Sequence, residues 1–464
     1  MTWTSNNPHL SGNFAPVFDE LSTDDLPVIA GAIPQGLSGA YMRNGPNPMF
    51  KPLSYAYPFD GDGMIHAVYL DNGRARYRNR FVQTRGLVAE QRAGRSIYGG
   101  TLAPVPVDPA LVEPDGDPGP FKNGAFVGIV RHAGHILALL EVSTGYELTP
   151  ELDTIGEWSP GTDAPIEIGA HTRRHPTTGA LFGVTYGIDE PFVRFQEIDA
   201  SGRLVNSTKV PLAAATMIHD FILTERHIVV LAGPAVFDLA AAQAGQSPIQ
   251  WRPELGTRIG LVPLDGGAVR WLEAEPFFVF HFANGFEDRG KLIVDYVRHQ
   301  WLHFGPGPGP SIPPRLHRLA IDLASARIHD RCVSDAAVEF PRVDDRRNAM
   351  PTRHVYIPTL TDGWTLDRST SATFNTIAHM NPETGDVVLH DFGNRLVGEP
   401  AFIPKPGFDG ERDGYLAVFI YDPATDASTF TLLDAADVTA EPVAVVALPR
   451  RVPQGLHGAW MPNL

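Results

Sequence analysis

Cysteine is nearly absent: among 464 residues there is one, Cys332. That excludes an intramolecular disulfide and any zinc or iron–sulfur site built on cysteine. Basic charge is also scarce. Against 53 Asp and Glu stand 37 Lys and Arg, a formal net charge of −16. A protein that neutralises phosphates needs the reverse balance, so nucleic acid is not an expected partner. Long apolar runs are missing too: the longest, 228–242, is interrupted by Gly233, Pro234 and Asp238 and is too short for a spanning helix. The opening MTWTSNNPHL has neither the basic nor the apolar region of a secretory signal. Together these absences lead us to expect an acidic, soluble, cytoplasmic protein.

Turn residues, by contrast, abound, with 45 Gly and 42 Pro. Between them lie short runs rich in Val, Ile, Phe and Tyr, at 67–70, 125–130, 136–140, 228–231, 291–297 and 415–421. Each has strand length, and turn signals such as Asp71-Asn72-Gly73, Asp265-Gly266-Gly267 and Glu383-Thr384-Gly385 punctuate the chain. Helical periodicity is scarce, and 237–243 is the best helix candidate. Many short strands without a break in composition predict an all-β chain forming a single domain over 1–464, and its length suits a propeller better than a sandwich. The Gly-Pro repeat at 305–310 is too stiff and donor-poor for a strand and reads as a rim or lid segment.

With cysteine excluded, histidine is the place to look for a metal, and there are 17. His132, His135, His227 and His329 sit beside turn residues or charges and read as solvated. His299 and His303 flank Trp301 and read as surface or lid residues; His66, after a Gly-Asp-Gly turn, reads as a buried structural donor. Four others are embedded in apolar or small residues at apparent strand ends: His171 in Ile168-Gly-Ala-His-Thr172, His219 in Met217-Ile-His-Asp-Phe221, His281 in Phe278-Val-Phe-His-Phe282, and His457 in Gly455-Leu-His-Gly-Ala-Trp460. One such histidine is more often a satisfied core residue than a ligand. Four are a different matter in a propeller, where segments distant in sequence converge on one axis. Neutral imidazoles suit zinc, copper, iron or nickel. Ligating histidines usually donate their second N–H to a carboxylate. Glu141, Glu339 and Glu399 have the apolar flanks such partners would need, although each taken singly reads as a solvated acid.

Taken in order, Tyr41-Met-Arg-Asn-Gly-Pro-Asn-Pro48, Phe59-Asp-Gly-Asp-Gly-Met-Ile-His66, the four histidine segments, Glu339-Phe-Pro-Arg342 and Gly398-Glu-Pro400 resemble the carotenoid cleavage oxygenase family. The resemblance runs from Leu37 to Trp460. It implies a seven-bladed β-propeller with a dome of loops and short helices over an Fe(II) ion. It implies that His171, His219, His281 and His457 are the ligands, with Glu141 behind His219, Glu339 behind His281, Glu399 behind His457, and no carboxylate behind His171. The implied reaction splits a carbon–carbon double bond with O₂ into two carbonyl products. A dry aromatic cavity would suit such a reaction, and Phe59, Tyr98, Phe282 and Phe374 are candidates for its lining. In that family an apolar patch round the substrate entrance meets membranes, so the resemblance admits peripheral membrane contact.

Two departures bear on the substrate. Members that cleave lignostilbene, resveratrol or isoeugenol pair a tyrosine with a lysine to bind a 4-hydroxyl. Tyr98 matches the tyrosine, but the lysine position is Leu140, unless Lys122 reaches the site from another loop. Val127 stands where many members have threonine. We therefore expect a hydrophobic alkene substrate, an apocarotenoid or similar elongated polyene. The alternative is an aryl alkene such as a stilbene, vinylphenol or propenylphenol. From other classes, a calcium-dependent propeller hydrolase of lactonase type would want hard oxygen ligands. A non-catalytic binding propeller would leave the buried histidines and acids without a role.

Overall fold

The computed structural model describes residues 3–244, 246–302, 312–361 and 373–464; the 305–310 segment and His303 lie outside them. The described residues are overwhelmingly sheet, in seven sheets of three to six strands and one two-stranded ribbon. These seven sheets are the blades of the expected propeller. By contacts the chain divides into two compact units: Met1–Glu167 with Phe392–Asp409 and Asp413–Leu464, and Ile168–Asp391 with Gly410–Arg412.

The first unit holds three sheets. One is assembled from both ends of the chain: Gly39–Pro46 pairs with Gly63–Asp71 on one side and with the C-terminal strand Gly458–Pro462 on the other. In another, Val28–Gly31 pairs with Ala444–Ala447. Strand Arg74–Phe81 shows why these segments form half-buried strands. Ala75, Tyr77, Asn79 and Phe81 are buried, while the four intervening arginines face outward, the two-residue period of a pleated strand. Its hairpin partner Gly63–Asp71 is joined to it at Asn72 and Gly73, with φ of 47° and 76°, the left-handed pair that a tight hairpin requires. Facing sheets bury Tyr41, Tyr77, Phe419 and Phe430 in one cluster. Helix Arg85–Ala93, not anticipated from the sequence, starts at Thr84, whose side chain accepts the Leu87 amide, and stops at Gly94 with φ 66°. It buries only Gly86, Leu87, Ala89 and Glu90, too broken an apolar stripe to read as a helix.

The second unit holds four sheets and the ribbon of Ala235–Phe237 with Ile249–Trp251. Sheet faces here bury Phe277, Phe282, Tyr296 and Leu319 in one cluster and Val297, Val355, Ile357 and Met380 in another. The helix expected at 237–243 is the shorter Leu239–Gln243, capped by Asp238, because Phe237 pairs in the ribbon instead. Among the described residues no helix is long and apolar enough to cross a membrane.

Candidate metal centre

Each of the four singled-out histidines stands at the entry to an edge strand of a sheet. His171 directly precedes Thr172–Arg174, His219 lies just before Ile222–Leu223, His281 directly precedes Phe282–Asp288, and His457 directly precedes Gly458–Pro462. Equivalent strand entries present side chains at one end of each sheet, so histidines dozens of residues apart occupy equivalent places.

In the second unit three of them converge. His219 Nε2 lies 3.0 Å from His171 Nε2 and 3.2 Å from His281 Nε2. Behind His281, Nδ1 faces Glu339 Oε2 at 2.5 Å. The carboxylate accepts, so Nδ1 carries the proton and Nε2 presents its lone pair towards His219. A single proton could relieve one of the two imidazole contacts made by His219 Nε2, whereas a cation relieves both. The spacing fits as well: two imidazoles at right angles on a transition metal, with bonds of about 2.1 Å, place their nitrogens about 3.0 Å apart. An all-imidazole donor set suits iron, copper, nickel or zinc and not calcium.

Glu339 does more than its sequence neighbourhood suggests. Its other oxygen accepts from His299 Nε2 at 2.6 Å, and Oε2 also accepts the Phe340 amide at 2.6 Å. Burial opposes its charge, yet the two imidazoles and the hydrogen bonds from them hold the carboxyl well below its usual range. His299 is therefore a buried partner of Glu339 and not the surface residue expected, because Phe278 and His299 pair backbone to backbone and carry the ring inward. His132, expected to be solvated, is also buried, at the end of a hairpin strand. His135 and His227 are half-buried and paired with Glu147 and Glu287 at 2.6 and 2.9 Å; His329 is exposed as expected. His66 is the buried structural residue anticipated, with Nδ1 2.7 Å from the Tyr77 hydroxyl. Phe340 has φ 57°, a costly backbone for an aromatic residue, and its ring lies 5.0 Å from that of His281. Phe280 packs edge-on to His219 and His299 at 5.2 and 5.1 Å, so aromatic rings screen the imidazoles. Neither Phe340 nor Phe280 was singled out from the sequence; the alternation of Phe278, Phe280 and Phe282 around His281 was the available signal.

In the first unit His457 is buried, and its Nδ1 faces Glu399 Oε1 at 2.9 Å, with Glu399 Oε2 accepting the Gly458 amide at 2.9 Å. This is the same grip that Glu339 has on His281. The His457 amide donates to the Val127 carbonyl at 3.1 Å, which places the buried Val127 beside this histidine. Glu141 is half-buried just beyond strand His135–Leu139.

Tyr98 and Phe59 also belong to the first unit. Phe59 is buried against Tyr57 and Phe14, with ring centres 5.4 and 6.1 Å away. Tyr98 is 3% exposed, and its hydroxyl donates to the Asp117 carbonyl at 2.9 Å. Burial, together with Asp117 and Glu90, pushes its pKa up to about 12, so it is a neutral donor and not a base. Lys122 is not available to a substrate phenol: Asp62 Oδ1 and Glu90 Oε2 hold its ammonium at 2.5 and 2.6 Å. Of the other two proposed lining residues, Phe282 is part of the sheet core and Phe374 is buried.

A family model described as retinal pigment epithelial membrane protein matches residues 14–462. A carotenoid cleavage oxygenase of Mycobacterium tuberculosis is 32% identical, covering 99% of this chain and 98% of its own. An apocarotenoid-15,15'-oxygenase of Synechocystis is also 32% identical, covering 93% and 92%. Among solved structures, the lignostilbene dioxygenase of Pseudomonas brassicacearum superposes with a TM-score of 0.90 over 100% of both chains at 28% identity.

Proposed function

This chain belongs to the carotenoid cleavage oxygenase family, and on that premise we propose that it is a non-haem iron(II) oxygenase that splits an alkene. In the proposed reaction, R–CH=CH–R′ and O₂ give R–CHO and R′–CHO, both oxygen atoms entering the products. The observation that carries this reading is the convergence of His171, His219 and His281 through their Nε2 atoms, 3.0 and 3.2 Å apart. We take His457 as the fourth ligand, as the family pattern implies: Glu399 braces His457 as Glu339 braces His281. We take Glu141 as the support of His219. In its favour, Val142 after it has φ 48°, the same left-handed backbone as Phe340 after Glu339.

Iron(II) held by neutral imidazoles keeps its full positive charge and supplies the activation of O₂ beside an electron-rich double bond. The chain's own contributions are distinct. Glu339 and Glu399 fix the tautomers of His281 and His457, leaving on each Nε2 the lone pair that would hold the metal. Phe280 and Phe340 pack against His219 and His281 and would shield those rings from water. Tyr98 and Phe59 would line the approach to the metal, with Tyr98 a neutral hydroxyl whose proton goes to the Asp117 carbonyl and whose oxygen can still accept.

We assign the substrate to apocarotenoids or similar polyenes. Leu140 offers no charge to a phenolate, and Lys122 is already held by two carboxylates. A neutral phenol, with a pKa near 10, needs such help to ionise at neutral pH. The likeness to a lignostilbene dioxygenase over the whole chain supports the second reading, an aryl alkene. Aerobic incubation of iron-loaded protein with apocarotenals and 4-hydroxystilbenes, with products read by mass, separates the two. We expect aldehydes from the polyenes, and little change when a stilbene's 4-hydroxyl becomes methoxyl. A strict requirement for the free 4-hydroxyl would establish the aryl-alkene reading. No cleavage of any alkene would refute both.

A further inference from the structure

We propose that the Arg173–Asp220 ion pair is a positioning element of the metal centre, locking together the three segments that carry His171, His219 and His281. The inference rests on the reading of those imidazoles as metal ligands. Asp220 follows His219 directly and is 4% exposed. Its Oδ2 accepts from Arg173 Nη2 at 2.5 Å and from the Phe282 amide at 3.1 Å, and its Oδ1 accepts the Phe221 amide at 2.8 Å. Arg173 stands two residues after His171. Its Nε donates to the Phe221 carbonyl at 3.2 Å, and Nη2 to the Phe282 carbonyl at 3.1 Å. Phe282 follows His281 directly. Each of these three segments is therefore tied into one guanidinium–carboxylate knot within two residues of its histidine. His171, the ligand with no glutamate assigned behind it, has Asp220 Oδ1 4.0 Å from its Nδ1.

The chemistry of the pair suits that task. A guanidinium is a planar, pre-organised fork, and paired with a buried carboxylate it fixes direction as well as distance. The segments it joins are 47 residues apart between Arg173 and Asp220 and 62 between Asp220 and Phe282. Strand pairing next to these histidines is short, since Thr172–Arg174 and Ile222–Leu223 have only three and two residues.

The test is Co(II) titration of metal-free, full-length protein, followed through the visible bands of the bound ion, with melting of the metal-free protein in parallel. Asp220→Asn and Arg173→Ala are expected to bind Co(II) about 10–100-fold more weakly with shifted bands, as for other groups that orient ligands. Arg173→Lys, which keeps the charge but not the fork, should lose less. Wild-type affinity and bands in the folded variants would overturn the proposal, even if their metal-free melting temperature fell, because that is the signature of a purely structural pair. Should Asp220→Asn not fold, Arg173→Lys decides alone: weakened binding supports the proposal and wild-type binding overturns it. If the wild type itself takes up no Co(II), the metal reading fails and takes this inference with it. Tight wild-type binding with indifferent variants defeats the knot alone.

Discussion

Each unit contains a buried polar cluster, and the two are built on opposite electrostatic principles. In the first, Lys122 lies between Asp62 and Glu90, Glu90 also accepts the Ile97 amide, and Asp62 accepts the Met49 amide. Burial works against the lysine's charge, but the two carboxylates hold its pKa above the ordinary value. Cation and anions there answer one another, and the cluster braces helix Arg85–Ala93 against the strands. In the second, three imidazoles turn their Nε2 atoms towards one another while Glu339 holds Nδ1 of His281 and Nε2 of His299. A cluster that satisfies itself is structural, whereas one whose lone pairs converge is built to receive a cation.

Removing the central imidazole should break the comparison most completely. His219→Ala is expected to reduce bound metal from equimolar to trace by elemental analysis and to abolish alkene cleavage, while Lys122→Met leaves the metal content of folded protein unchanged. Retained metal and activity in His219→Ala would defeat the site as described. Next in size is the stability cost on the other side. Lys122→Met leaves two buried carboxylates without their cation, a loss of about 3–5 kcal/mol, measurable as a lower urea midpoint. A shift under about 1 kcal/mol would mean the cluster stays hydrated and braces nothing.

Glu339→Gln sharpens the contrast, because it removes charge from the receiving cluster without removing a ligand. Metal affinity should fall about 10–100-fold, with a smaller effect on unfolding than Lys122→Met. Unchanged affinity would reduce Glu339 to a link between His281 and His299. The smallest effect concerns pH in the self-satisfied cluster. Burial raises the pKa of Asp60 to about 6, against the hydrogen bonds from Thr101 and Gly61 and the charge of Lys122. Between about pH 4 and 6 the folded state then holds a proton that the unfolded chain has released. Asp60's contribution to stability falls as pH rises through that window, by no more than about 1.4 kcal/mol per pH unit, and levels off above it. Asp60→Asn should flatten this slope in urea titrations at stepped pH; an identical slope in the variant would assign it to another group.

The strands were largely legible because their signal is local. The runs at 67–70, 136–140, 228–231, 291–297 and 415–421 all lie within observed strands or at their ends, since alternation and turn residues act over a few positions. The run at 125–130 is strand only from Gly128 onward, because Ala125 has φ 48° and bends the chain before it. The candidate ligands were legible for a related reason: an imidazole among apolar residues at a strand entry is conspicuous. Helix Arg85–Ala93 was not, because its buried positions include a glycine and a glutamate, which carry no apolar period.

By itself, then, the sequence determined that the chain folds as many short strands, that an intramolecular disulfide and a cysteine-built metal site are excluded, and that four histidines and three glutamates resemble the ordered pattern of a known family. Only the tertiary structure decided which partners those residues have. Glu339 serves His299, 40 residues away, as well as His281, 58 away. Lys122 is claimed by Asp62 and Glu90, and Arg173 by Asp220. The reason is physical: periodicity and turn chemistry act between near neighbours, whereas buried charges and imidazoles take whichever partner the packing of the strands brings within hydrogen-bond reach.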